Sequence, residues 1–173
     1  MRRALALLAV VMAALAVAGC GGAGGLGGDL PITVVEEGDR DPAPGLTVPA
    51  LDGGPDVTLE GRDKPVVLNF WASWCEPCTR EMPALVEFSG RNPDVDVVGV
   101  AVTDRPEDSR RFAEKVGIPF TLGSDRRGAV AADFGVQGLP VTVLIDAEGR
   151  VAATHPGEID GEELDGYAEL LAP

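Results

Sequence analysis

The chain has 173 residues, enough for one domain with appendages, and 28 acidic against 14 basic residues give it a formal net charge of -14. So acidic a surface excludes nucleic acid and anionic lipid as electrostatic partners. Three cysteines and one histidine leave little material for a metal centre.

At the N-terminus, Arg2 and Arg3 precede an apolar stretch from Ala4 to Val17 and the small residues Ala18 and Gly19. That stretch has the length of a signal-peptide core and falls short of the roughly 20 residues a membrane span needs. Val17-Ala18-Gly19-Cys20 resembles a bacterial lipobox, in which the cysteine is lipidated and becomes the mature N-terminus. An ordinary secretory leader with an incidental Cys20 is the alternative. Residues 20–44, Gly-rich and then rich in acids and prolines, lack apolar periodicity and are expected to form a flexible tether. The folded domain is therefore expected over residues 45–173.

Leu46 to Leu51 and Val57 to Leu59 flank Asp52-Gly53-Gly54 and suggest a small hairpin. Val66 to Trp71 is an almost continuous apolar run, typical of a strand buried on both faces. Glu76 to Phe88 has helical spacing, with Pro83 predicting a bend. Val95 to Val102 repeats the buried-strand pattern, and Arg105 to Val116 is a helix begun by Pro106 and stopped by Gly117. A short strand at Phe120 to Leu122 and a short helix from Gly128 to Phe134 follow. Val141 to Ile145 and Val151 to Thr154 read as a hairpin around Asp146-Ala147-Glu148-Gly149, and Glu162 to Leu171 as a closing helix. This order predicts an α/β domain: a central mixed β-sheet flanked by helices, with an N-terminal β-hairpin and an inserted αβ segment.

Trp74-Cys75-Glu76-Pro77-Cys78 stands where the buried strand gives way to a helix. There the unpaired backbone N–H groups and the helix dipole stabilise a thiolate. Cys75, ahead of the first turn, is the expected exposed nucleophile, and Cys78 the residue that resolves its mixed disulfide. Zinc needs about four ligands, and no second cysteine pair is present. A c-type haem site needs a histidine after the second cysteine, where Thr79 stands. A purely structural disulfide remains open, although a bridge over so short a loop constrains little of the unfolded chain. Gly138-Leu139-Pro140 precedes the strand at Val141. A proline there is either an ordinary strand start or a cis-proline holding a backbone edge open for substrate.

Taken together, Asn69 to Cys78 and Gly135 to Asp146 resemble the TlpA/ResA-like branch of the thioredoxin superfamily, over about Gly45 to Leu171. The resemblance implies a thioredoxin-like fold and a membrane-anchored, extracytoplasmic thiol-disulfide oxidoreductase without cofactor. It implies catalysis by Cys75 and Cys78, and a role for Glu81 as the branch's acid near the active site, a solvated helix residue being the alternative. Asn69 occupies the place of a buried aspartate in classical thioredoxins and cannot take a proton, so Glu81 or water would serve. Trp74, Glu76, Pro77, Leu139 and Pro140 are the candidate substrate-binding residues, with Trp74 expected to cover the disulfide. Peroxiredoxins share the superfamily, but Trp71-Ala72-Ser73-Trp74 replaces the Pro and Thr they need before a lone cysteine.

Negative charge on Glu76 and Glu81 disfavours a thiolate at Cys75, which argues for a reductase over a disulfide donor; Arg80 and the helix dipole oppose this. The implied partners are cysteine-containing extracytoplasmic proteins such as apocytochrome c, a membrane thiol-disulfide electron donor, and the membrane itself through lipid on Cys20. A redox-silent binding module with a permanent disulfide is the non-enzymatic alternative. His155 is expected at the surface or at a strand end.

Overall fold

A computed structural model describes residues 32–171; the leader and Cys20 lie outside them. In chain order the elements are β1 (Thr33–Val34), β2 (Thr47–Val48), β3 (Val57–Thr58), β4 (Val66–Trp71), α1 (Glu76–Arg91), β5 (Asp96–Val102), α2 (Pro106–Val116), β6 (Thr121–Asp125), α3 (Ala129–Asp133), β7 (Val141–Ile145), β8 (Val151–Pro156) and α4 (Gly161–Leu171). Six strands form one sheet in the order β1-β8-β7-β4-β5-β6, and β2 and β3 pair as the separate hairpin. β4 runs parallel to β5 and antiparallel to β7, so the sheet is mixed, as the element order predicted.

Every residue of β4 is buried, because helices and hairpin cover both faces of the sheet. Its side chains alternate in register with the strand period. Val67 and Trp71 face Met82, Leu85 and Phe88 of α1 and Leu164 and Tyr167 of α4. Val66, Leu68 and Phe70 face the opposite way, toward Val48, Val57 and Ala131. Full burial of such apolar side chains contributes about 1.5–3 kcal/mol each, so this strand anchors the domain. Asn69 is the one polar member of β4. Beside it, Gly99 leaves room for two side chains: a Cβ there would sit 2.7 Å from Leu122 Cδ2 and 3.0 Å from Trp71 Nε1.

The expected tether does not extend to Gly45. Thr33 and Val34 add β1 to the open edge of β8, paired with Thr154 and Ala153. Val35 N–H donates to Ala152 O, Val151 N–H to Asp41 O, and Ala43 N–H to Gly149 O. Arg40 reaches Asp146 at 3.2 Å and the carbonyl of Leu170 at 3.3 Å. Backbone pairing and one nearly buried ion pair hold this segment, and neither leaves an apolar pattern in the sequence. Two smaller shifts have similar causes. α1 continues through Pro83 to Arg91, and β6 runs to Asp125 through Ser124, two polar residues that are nonetheless buried.

Candidate active site

β4 delivers the chain to Trp71, and the next residues are pinned from the side. Ser73 donates its N–H to Asp104 Oδ2 at 2.7 Å and its hydroxyl to Oδ1 at 3.1 Å. The same carboxylate accepts from the Arg105 amide and, at 2.7 Å, from Ser109 Oγ. Just before it, Thr103 takes φ 47°, a left-handed conformation that β-branched residues rarely adopt. The β5–α2 loop thus clamps the loop that carries the cysteines.

Cys75 is the N-cap of α1, and Pro77 occupies its first turn. The two cysteines form a disulfide, with Cα atoms 5.3 Å apart, and Cys78 N–H points at Cys75 Sγ at 3.3 Å. Cys75 is 5% exposed and Cys78 fully buried, so the expected exposed nucleophile is, in this oxidised form, only the less buried of the pair. Trp74 is 63% exposed and does not close over the disulfide as expected. Burial comes instead from the core cluster that both sulfurs share with Trp71, Met82 and half-buried Leu139. Leu139-Pro140 is a cis peptide bond. Glu76 stands in solvent, ion-paired with Arg80 at 3.3 Å.

Glu81 is no solvated helix residue. It is 1% exposed and accepts from Asn69 Nδ2 at 2.9 Å and from Ile159 N–H at 3.1 Å. The second Asn69 amide hydrogen goes to Thr142 Oγ1 at 3.1 Å. Burial drives the Glu81 carboxyl up from an ordinary 4.5 to about 7, against the downward pull of the Asn69 and Ile159 donors. Its charge near neutral pH is therefore partial, so of the two negative charges expected near Cys75 one titrates, and the other, on Glu76, lies in solvent beside an Arg80 that Glu158 holds more closely.

His155 lies near the end of β8, one of the two places expected for it, and is buried there, at 4% exposure. Nε2 lies 3.2 Å from the carbonyl of Glu158 and Nδ1 3.1 Å from Tyr167 Oη. A carbonyl only accepts, so Nε2 carries a proton. The segment from Gly157 to Ile159 is consequently held at four points. Gly157 N–H donates to Pro140 O at 2.9 Å, His155 takes the Glu158 carbonyl, Arg80 the Glu158 carboxylate at 2.7 Å, and Glu81 the Ile159 amide. That segment ties the cis-proline loop to the helix of the cysteines. Ser73, Glu158 and Tyr167 carry no sequence signal for these roles; Asp104 carries one, an acid just ahead of a helix start.

A buried disulfide at a helix N-terminus, a cis-proline and a buried carboxyl one turn further on form a site for thiol-disulfide exchange. Comparison with known proteins agrees. Residues 40–154 match the AhpC/TSA family. The chain belongs to that family. It is 34% identical over 133 residues to the thiol-disulfide oxidoreductase ResA of Geobacillus thermodenitrificans, covering 76% of each. With the thiol:disulfide interchange protein DsbE homolog of Paracoccus denitrificans it shares 40% over 124 residues, 70% of this chain and 68% of that one. A solved DsbF homologue from Corynebacterium diphtheriae superposes with a TM-score of 0.75 at 28% identity, over 83% of this chain and 94% of the other. The protein is thus a thiol-disulfide oxidoreductase of thioredoxin-like fold, as the motif resemblance implied. No described helix of this oxidoreductase is long and apolar enough to cross a membrane.

Proposed function

We propose that this oxidoreductase works outside the cytoplasm, anchored to the bacterial membrane through lipid on Cys20, and reduces disulfides of cysteine-containing proteins, with apocytochrome c as one candidate. A membrane thiol-disulfide carrier supplies its electrons. The basic and apolar leader ending in Val17-Ala18-Gly19-Cys20 supports the address. In the working direction Cys75 thiolate attacks one sulfur of the substrate disulfide, and the other substrate sulfur leaves as thiolate. Cys78, deprotonated in turn, attacks Cys75 Sγ, closing the intramolecular disulfide and releasing the second substrate thiolate. Two electrons pass to the substrate. Glu81 takes the Cys78 proton and returns it to a leaving thiolate. Leu139 offers its backbone to the substrate strand, while Trp74, Glu76, Pro77 and Pro140 frame the approach.

The observation that carries this reading is the Glu81 carboxyl, buried one turn beyond Cys78 with its pKa raised to about 7. A group that titrates near neutrality beside a dithiol is suited to shuttle protons and supplies no fixed cation to favour a thiolate. The opposite direction, disulfide donation, has one observation in its favour: Cys75 is the N-cap and its sulfur faces the Cys78 amide at 3.3 Å. Equilibration of the pair with thiol buffers separates the two. A reductase should poise near thioredoxin, at about -270 mV, whereas a value near about -120 mV identifies a disulfide donor. Cys78→Ser in cells should trap a cysteine-bearing partner on Cys75, and Cys75→Ser should not. Failure of Cys78→Ser to trap any such partner would overturn the catalytic reading.

A further inference from the structure

On a chain with twice as many acids as bases, arginines find carboxylates easily. Seven of the described arginines do, each within ion-pair distance of Asp or Glu. Arg110, Arg126 and Arg127 form no ion pair among the described residues, and all three line the same cavity, of about 460 Å³. Its walls are the start of α2, the turn from β6 to α3, and the segment 47–51 that lies along the edge of β6.

Ser124 also lines this cavity, but its hydroxyl, without a hydrogen-bond partner, is enclosed by protein and does not open into it. The one acid in the wall, Asp125, is already committed. Its two oxygens accept from the amides of Ala129 at 3.0 Å and Ala131 at 2.9 Å. Arg110 gives one nitrogen to the carbonyl of Leu51 at 3.1 Å, and Arg126 and Arg127 make no side-chain hydrogen bond among the described residues. The remaining lining is largely apolar, with Pro49, Leu51 and Val130 prominent.

We propose that this cavity binds a small organic oxyanion, a carboxylate or phosphate ester with a short apolar body. Its charged end meets the guanidinium groups, whose planar forks match such oxygens. Its apolar body lies against Pro49, Leu51 and Val130. The site sits at the C-terminal ends of the parallel strands β5 and β6, where open α/β sheets receive ligands. None of Cys75, Cys78, Glu81 or Pro140 lines it, so it is separate from the redox pair and independent of the direction of electron flow.

The test is an amide NMR titration of the oxidised protein with inorganic phosphate and with phenyl phosphate. Both should shift the amides of residues 107–110 and 124–130 to saturation, phenyl phosphate roughly tenfold more tightly because it also fills the apolar wall. The double variant Arg126→Gln, Arg127→Gln replaces exposed side chains and should weaken binding roughly tenfold or more. Arg91→Gln, remote from the cavity, should leave it unchanged. Shifts that do not saturate, or that survive in the double variant, would overturn the assignment. So would vesicles containing phosphatidic acid moving the same amides while phenyl phosphate does not, which would transfer the oxyanion to a lipid.

Discussion

At Glu81 a single side chain links stability to the redox site. Its carboxyl titrates near 7 in the folded protein and near 4.5 when unfolded, so the native state holds the proton more tightly. Below the lower value both states are protonated and nothing is lost. As pH rises through the higher value, the folded state must ionise a buried group, and stability falls by about 3 kcal/mol in all. Glu81→Gln has no such proton to lose. Urea denaturation of both proteins between about pH 4 and pH 8 should therefore show wild type losing ground to the variant across that window. Parallel curves would mean that Glu81 is not raised. Glu81 was legible in the sequence only as a position matching a family's acid. Its burial was not legible, because the Ile159 amide that faces it comes from 78 residues further along the chain. The same holds for His155 and Asp104, whose partners are set by how loops approach one another. Cys75 and Cys78 needed no such knowledge, since adjacency in one helical turn fixes their meeting.

Elements differ in legibility for a comparable reason. β4 and α1 announce themselves through runs and periods of apolar residues, because covering layers demand them. β1 is two residues long, both exposed, and its contribution lies in backbone pairing that leaves no pattern. The Arg40–Asp146 pair, with side chains only 10% and 5% exposed, completes the attachment. Burial pushes the Asp146 carboxyl up, but the Arg150 amide and the side chains of Arg40 and Arg150 hold it below its ordinary value. Removing residues 1–44 deletes this edge, whereas removing residues 1–31 spares it. The longer deletion should cost roughly 2–4 kcal/mol more, since it leaves a nearly buried carboxylate with one of its two arginines. Equal denaturation midpoints for the two truncations would show that residues 32–44 merely lie on the sheet edge.

At the scale of the whole molecule, the direction of electron flow is itself a statement about folding. The folded and unfolded states and the oxidised and reduced forms close a thermodynamic cycle, so a pair more reducing than an unconstrained one must be more stable folded with its disulfide closed. A disulfide over so short a loop restricts the unfolded chain little, which leaves most of the difference to the native state. Each 30 mV corresponds to about 1.4 kcal/mol for the two-electron couple. Burial of Cys78 and the partial charge on Glu81 weigh against a thiolate in the reduced form; the N-cap position of Cys75 weighs for it. If the two former effects prevail, as the proposed reductase requires, the oxidised protein should resist urea better than the reduced one at pH 7. Unfolding both forms, the reduced one under excess thiol, measures this without any reference to a substrate. A reduced form more stable than the oxidised would make the helix N-terminus the stronger influence and the protein a donor of disulfides.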